Sequence, residues 1–223
     1  MKEIHFTKMH GIGNDYIYID CFKEKVEDPS YLAKIMSPRR TSVGSDGVIL
    51  ICPSDVADAK MRMFNLDGSE GKMCGNGIRC VGKYIYDNGI AHKKTLTVET
   101  LSGIKTLYVT EENGKATSLT VDMGEPILTP KDIPVKFGGD KMINEPININ
   151  GTEYRITAVS MGNPHAVVFC DDIKELALEK IGPEFEFNPI FPEQVNTEFI
   201  RVKDRKNLEM RVDAENGATR GKT

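Results

Sequence analysis

Apolar residues in this chain recur mostly at alternate positions or in short unbroken runs, and seldom at helical spacing. That pattern predicts many strands and few helices. In the first half, strands are expected near Ile4–Thr7, Tyr16–Asp20, Gly47–Cys52, Lys60–Asn65 and Thr95–Thr100. A hairpin is expected to join Ile104–Thr110 to Ala116–Asp122 through Glu112-Asn113-Gly114. One helix should start at Asp28-Pro29, an acidic cap followed by proline in the first turn, and end before Pro38. A second should run over Gly77–Asn88, closed by Asn88-Gly89.

The Pro- and Gly-containing stretch Gly124–Asn144 reads as a loop, after which the pattern restarts. Strands are expected near Ile147–Ile149, Arg155–Ser160 and Ala166–Phe169, then a helix over Asp172–Lys180 stopped by Gly182-Pro183. A last hairpin should join Thr197–Lys203 to Asn207–Val212. The boundary is placed near Met123, giving domains 1–123 and 124–223. The halves resemble distant copies of each other. Met9 to Asp15 and Met161 to His165 each precede a strand, and Met61-Arg62-Met63 answers Met210-Arg211-Val212 in the same order. A pseudo-symmetric molecule with a cleft between its halves is expected.

Composition changes this picture little. The 223 residues carry a net charge of −4, with no Lys or Arg block long enough to track a phosphate backbone, so a nucleic-acid partner is not expected. The longest apolar runs are strand-sized, far short of a membrane span, and the N-terminus lacks a signal peptide's apolar core. The five cysteines are odd in number and none lies in Cys-x2-Cys spacing, which suits reduced thiols in the cytoplasm and no metal site.

The sharpest feature is the run from Asn65 to Cys80. A strand ends, a glycine-rich loop follows, and a helix begins with Cys74 just ahead of it. Free N–H groups and the positive end of the helix dipole favour a thiolate there. The amides of Gly75, Asn76 and Gly77 are placed to hold a carboxylate. The bland alternative is a small residue in a tight turn, but the glycines on both sides argue against core filling. Cys80 reads as a packed helix residue, and Cys21, Cys52 and Cys170 as structural strand ends. Asn14, Asn65, Asn76, Asn163 and Asn196 are each ordinary turn formers taken singly. Together they suit a zwitterionic amino acid, which needs both donors and acceptors. His165 is a candidate to tune a thiol or orient substrate, against the commoner reading of a satisfied loop histidine.

The segment Phe6 to Tyr16 resembles the opening motif of diaminopimelate epimerases, and Asn65–Glu70 with Cys74–Cys80 resembles that family's first cysteine motif. Gly162-Asn163-Pro164-His165 and Val195-Asn196-Thr197 are similar to its second-half motifs, so the likeness covers residues 3 to 212. The resemblance implies interconversion of LL- and meso-diaminopimelate in lysine and peptidoglycan precursor synthesis, without pyridoxal phosphate or metal. It implies an α/β (α+β) fold of two pseudo-symmetric halves, each a curled, mostly antiparallel sheet around a central helix, the second incomplete. By this likeness Cys74, His165 and Glu215 are catalytic, and Asn14, Asn65, Gly75, Asn76, Asn163 and Asn196 bind substrate. A homodimer is one assembly it allows. Gly47 stands where some members carry a substrate-contacting glutamine.

An epimerase needs an acid/base group on each face of the α-carbon, which one side chain cannot supply. In the family a Glu-Arg-Gly stretch leads to a second Cys-Gly motif and a second helix. Here Glu215-Asn216-Gly217 stands one residue out of step with that stretch. Cys74 lies 13 positions after Met61, and 13 positions after Met210 comes Thr223, a hydroxyl far too weak as an acid. A truncated or frame-shifted product with impaired epimerisation is therefore expected. The competing readings are an inactive amino-acid-binding or self-associating remnant, a two-thiol racemase of the proline or hydroxyproline type, and a nucleotide-binding protein. The opening motif disfavours the racemase, and Gly11-Ile12-Gly13-Asn14 lacks dinucleotide-loop spacing.

Overall fold

The computed structural model of the chain describes residues 3–213 and 220–222. It divides into two compact units, Met1–Met123 and Gly124–Thr223.

In the first unit, β1 (Thr7–Gly11) and β2 (Asn14–Asp20) form a hairpin, followed by α1 (Pro29–Met36). Next come β3 (Gly47–Cys52), β4 (Ala59–Asn65), the two-residue β5 (Glu70–Gly71) and α2 (Gly75–Asp87). The unit ends with β6 (Thr95–Thr100), β7 (Gly103–Glu112) and β8 (Lys115–Asp122). Their order in the sheet is β1-β2-β3-β4-β6-β7-β8, with β5 on β4; β2–β3 and β4–β6 are parallel and the other pairs antiparallel. Asp28 caps α1, its carboxylate accepting from the Tyr31 N–H at 2.9 Å, with Pro29 at the first helical position.

The apolar face of α2 makes this a folded unit. Ile78, Val81 and Ile85 are fully buried against Tyr18, Ile49, Met61, Leu96 and Leu107 of the surrounding strands. Gly82 is what lets the sheet come so close: a Cβ there would lie 2.3 Å from Leu119 Cδ2 and 2.6 Å from Leu107 Cδ2. The opposite face of the sheet packs Ile17, Ile19, Val48, Leu50 and Phe64 against α1 through Ala33.

The second unit contains β9 (Glu145–Ile149), β10 (Thr152–Ser160), β11 (Pro164–Phe169), α3 (Leu178–Glu186), β12 (Asn196–Val202), β13 (Leu208–Asp213) and β14 (Arg220–Lys222). The sheet order is β14-β13-β12-β11-β10-β9, with β11–β12 parallel. Phe185 of α3 packs edge-on to Tyr154 and Phe199, anchoring the helix to the sheet.

The internal repeat read from the sequence reappears as identical strand register. Displacing the parallel pairs Ile17↔Val48 and Asp20↔Ile51 by 149 residues gives Ala166↔Thr197 and Phe169↔Ile200, both observed. The same displacement takes Ile49↔Met63 to Glu198↔Val212 and Met63↔Gly71 to Val212↔Arg220. It also carries the start of α1, Pro29, to the start of α3, Leu178. The first hairpin departs, with a two-residue loop after β1 and a three-residue loop after β10.

The predicted helix Asp172–Lys180 lies instead at Leu178–Glu186, with Pro183 inside it. The Arg211 guanidinium takes the carbonyls of Ile173, Lys174 and Leu176, at 2.7–3.0 Å, which a helix would have used internally. Pro183 opens the second turn, where its missing N–H costs one bond and its carbonyl accepts from Phe187 N–H. Strand β1 begins later than expected, and α2 begins at Gly75 rather than Gly77. The short strands β5 and β14 were not foreseen.

Candidate functional site

Cys74 is the residue that starts α2. Its backbone is extended (φ −138°, ψ 113°) and its sulfur accepts a hydrogen bond from the Gly77 N–H at 3.3 Å. The glycine-rich sequence allows this: Gly77 fits beneath Ile49, where a Cβ would come within 2.6 Å of Ile49 Cδ1. Sulfur therefore caps a helix as an Asp or Ser oxygen otherwise would. The thiol is half-buried and donates to Asn14 Oδ1 at 3.3 Å. Asn76 Nδ2 reaches the same oxygen at 3.5 Å, while Asn76 Oδ1 accepts from Arg79 at 2.6 Å. At Gly75 a Cβ would meet only Met123, at 3.9 Å, so the turn beside the sulfur is open.

Asn14 is itself held. Its Nδ2 donates to Asp46 Oδ2 at 2.6 Å, and Asp46 also accepts from the Asp15 N–H at 3.2 Å. Arg39 bridges Asp46 (2.9 Å) and Asp15 (2.5 Å), and Lys8 completes the cluster on Asp15 at 2.6 Å. Burial on its own would raise the Asp15 carboxyl; hydrogen bonds from Arg39 and Lys8 outweigh it and bring the pKa down to about 2. Tyr16 lies beside this group, its hydroxyl pushed well above the usual tyrosine range by burial and then by Cys74.

Asn65, at the end of β4, is not hydrogen-bonded to this cluster; its Nδ2 donates to Ser69 Oγ at 3.0 Å. Its ladder partner is Gly47, which adopts φ +155°. A Cβ on Gly47 would lie 2.1 Å from the Phe64 carbonyl oxygen and 3.1 Å from the Tyr16 ring. The backbone here leaves no room for the glutamine that some relatives were expected to carry.

In the second unit, His165 Nδ1 lies 2.6 Å from Glu198 Oε1 and its Nε2 lies 3.0 Å from Asn163 Oδ1, so both ring nitrogens face acceptors. Asn196, opposite His165 in the β11–β12 ladder, is buried and donates to the Pro164 carbonyl at 3.3 Å. Glu215 lies outside the described residues. The 149-residue displacement pairs Asn14 with Asn163, Tyr16 with His165, and Gly47 with Asn196. A cavity of about 330 Å³ among Phe6, Tyr18, Asp20, Lys23 and Tyr84 shares none of these residues. Among the described residues no cluster of His, Cys, Asp and Glu could hold a metal ion, and no helix is long and apolar enough to cross a membrane.

Sequence reading missed Asp46, Tyr16 and Glu198. Asp46 and Glu198 meet their partners some 30 positions away in sequence, and Tyr16 meets Cys74 at nearly twice that separation, which no local pattern reveals. Cys80 is buried in the core as expected, and burial pushes its thiol up.

The sequence profile of the diaminopimelate epimerase family matches residues 6–129 and 157–220. The diaminopimelate epimerase of Acetivibrio thermocellus is 56% identical over 209 residues, covering 94% of this chain and 75% of that protein. That of Methanococcus maripaludis strain S2 is 53% identical over 207 residues, covering 93% and 75%. Among solved structures, a probable proline racemase from Agrobacterium radiobacter superposes with a TM-score of 0.71 at 15% identity, covering 97% of this chain and 72% of that one. A hydroxyproline epimerase from Agrobacterium vitis superposes at 0.67 and 16% identity, covering 96% and 71%. At such identities the superpositions establish a shared fold, while the close sequence relatives settle the lineage: the chain belongs to the diaminopimelate epimerase family.

Proposed function

We propose that this chain binds diaminopimelate and that Cys74 exchanges a proton with the substrate α-carbon from one face. The observation that carries this reading is the placing of one sulfur. It is half-buried at the start of α2, beneath a free turn of backbone, with Gly77 N–H donating to it and Asn14 accepting from it. A group so placed can give up and recover a proton without moving. The amides of Gly75 and Asn76, at a helix N-terminus, would hold the α-carboxylate. Their positive field would also offset charge developing on the α-carbon as the proton leaves. Asn65, in the same unit, would add to recognition of the zwitterionic ends.

Inversion requires a second acid/base group facing the other side of the carbon. The repeat places Thr223 at the counterpart of Cys74, and the cysteine of the second half, Cys170, is displaced by the same 149 residues from Cys21. Cys170 follows β11 directly and its thiol is pushed up by burial and by Asp171 and Asp172, which suits it poorly to proton transfer. Cys74 is accordingly proposed to supply the half of the chemistry that acts on one face of the carbon.

Alkylation tests the binding half of this reading. Diaminopimelate should protect Cys74 from iodoacetamide, and Cys74→Ala should still bind the substrate while losing α-proton exchange altogether. Cys74 labelled at one rate with or without saturating substrate would contradict it.

A further inference from the structure

Two other half-buried thiols meet at the far ends of β2 and β3, the ends opposite those bearing Asn14 and Gly47. Asp20 pairs with Ile51 in the parallel ladder, and the Cys21 N–H continues it by donating to the Ile51 carbonyl at 2.8 Å. Cys21 and Cys52 are thus neighbours in register. They lie on one face of the sheet, both packed against the cluster of Ile17, Ile19, Val48 and Leu50. Neighbouring strands run about 4.8 Å apart, inside the Cα separation of roughly 4.4 to 6.8 Å that a disulfide accepts.

We propose that Cys21 and Cys52 form an oxidation site for hydroperoxides, in which Cys52 is the attacking sulfur and Cys21 resolves it as an intramolecular disulfide.

The surroundings make the two thiols unequal. A hydrogen bond from Cys21 lowers the Cys52 thiol, burial opposes it, and Arg62 and Lys60 from β4 add to the lowering against Glu70. Cys52 stands directly opposite Lys60 in the β3–β4 ladder. Cys21 moves the other way, held up by that same hydrogen bond, by burial and by Asp20, with Arg62 opposing. A low-pKa thiol beside a proton-bearing one is the arrangement of a nucleophile and its resolving partner.

In the first step the Cys52 thiolate attacks one peroxide oxygen and the O–O bond breaks. The alcohol or water leaves with a solvent proton, and Cys52 becomes a sulfenic acid. In the second step Cys21 sulfur attacks Cys52 sulfur, the S–O bond breaks, and hydroxide departs as water with the Cys21 proton. Two thiols lose two electrons in total and the hydroperoxide gains them.

The full-length chain treated natively with a few equivalents of hydrogen peroxide, digested with trypsin without reduction, gives the test. The expected product links residues 9–23 to residues 41–60; Cys74 and Cys170 fall on separate peptides, 73–79 and 156–174. With Cys21→Ser, dimedone should label the 41–60 peptide instead. Iodoacetamide at neutral pH should label Cys52 at least about tenfold faster than Cys170, since Lys60 and Arg62 favour the first thiolate while burial, Asp171 and Asp172 disfavour the second. Cys21 and Cys52 remaining reduced while Cys170 oxidises, equal labelling of Cys52 and Cys170, or Cys21 linking to another thiol would each overturn the proposal. None of these readouts depends on diaminopimelate turnover, so failure here leaves the reading of Cys74 untouched.

Discussion

The Asn14 amide has two ends, and Asp46 decides which of them faces Cys74. A carboxylate accepts only, so it takes the NH2 group and leaves the carbonyl oxygen toward the thiol. Asp46→Ala should leave the fold intact but free the amide to turn. α-Proton exchange should then fall about ten- to hundredfold, the worth of one hydrogen bond to a charged group; unchanged exchange would remove Asp46 from the account. Asp15 carries a stability consequence. Its folded pKa is about 2 against an ordinary 3.8, so the deprotonated form is favoured by the fold. The stabilisation, about 2 kcal/mol at neutral pH, is fully present above pH 3.8 and is lost as pH falls toward 2. Urea titrations of wild type and Asp15→Asn should differ by that amount at pH 7 and converge near pH 2. At this scale the sequence showed the residues whose chemistry is local, such as Cys74, Asn14 and Asn76 beside glycines. It hid Asp46 and Glu198, whose meaning depends on partners across the sheet.

Among the elements, unbroken apolar runs and alternating ones were both legible. Gly47–Cys52 and Thr95–Thr100 lie where the pattern placed them, because each presents a buried face to α2 or α1 over its whole length. The helix of the second unit was not legible. A tertiary contact from Arg211 took the carbonyls that the local pattern assigned to helix, and Pro183 was accommodated at the start of a turn. Gly47 gives the sharpest element-level prediction. Gly47→Gln forces a Cβ against the Phe64 carbonyl at a φ of +155°, so it should destabilise the first unit by about 2 to 3 kcal/mol. Thermal melting checks this; a variant as stable as wild type would mean that β3 shifts register without cost.

Across the whole molecule, one displacement of 149 residues relates strand registers, the short helices α1 and α3, and the asparagines Asn14 and Asn163. Two weak motif echoes in the sequence hinted at this repeat, and the backbone pairing makes it quantitative. The first unit places a thiol at the helix start, whereas the repeat assigns the matching position to Thr223. Proton transfer at Cys74 is proposed to reach one face of the substrate carbon. Its most direct test is to incubate LL- and meso-diaminopimelate separately with the chain in D2O and follow deuterium and configuration at the α-carbons. One epimer should take up deuterium with retention, the other should not, and Cys74→Ala should abolish the uptake. Exchange of both epimers with inversion, at the rate of the Acetivibrio thermocellus relative, would overturn this reading.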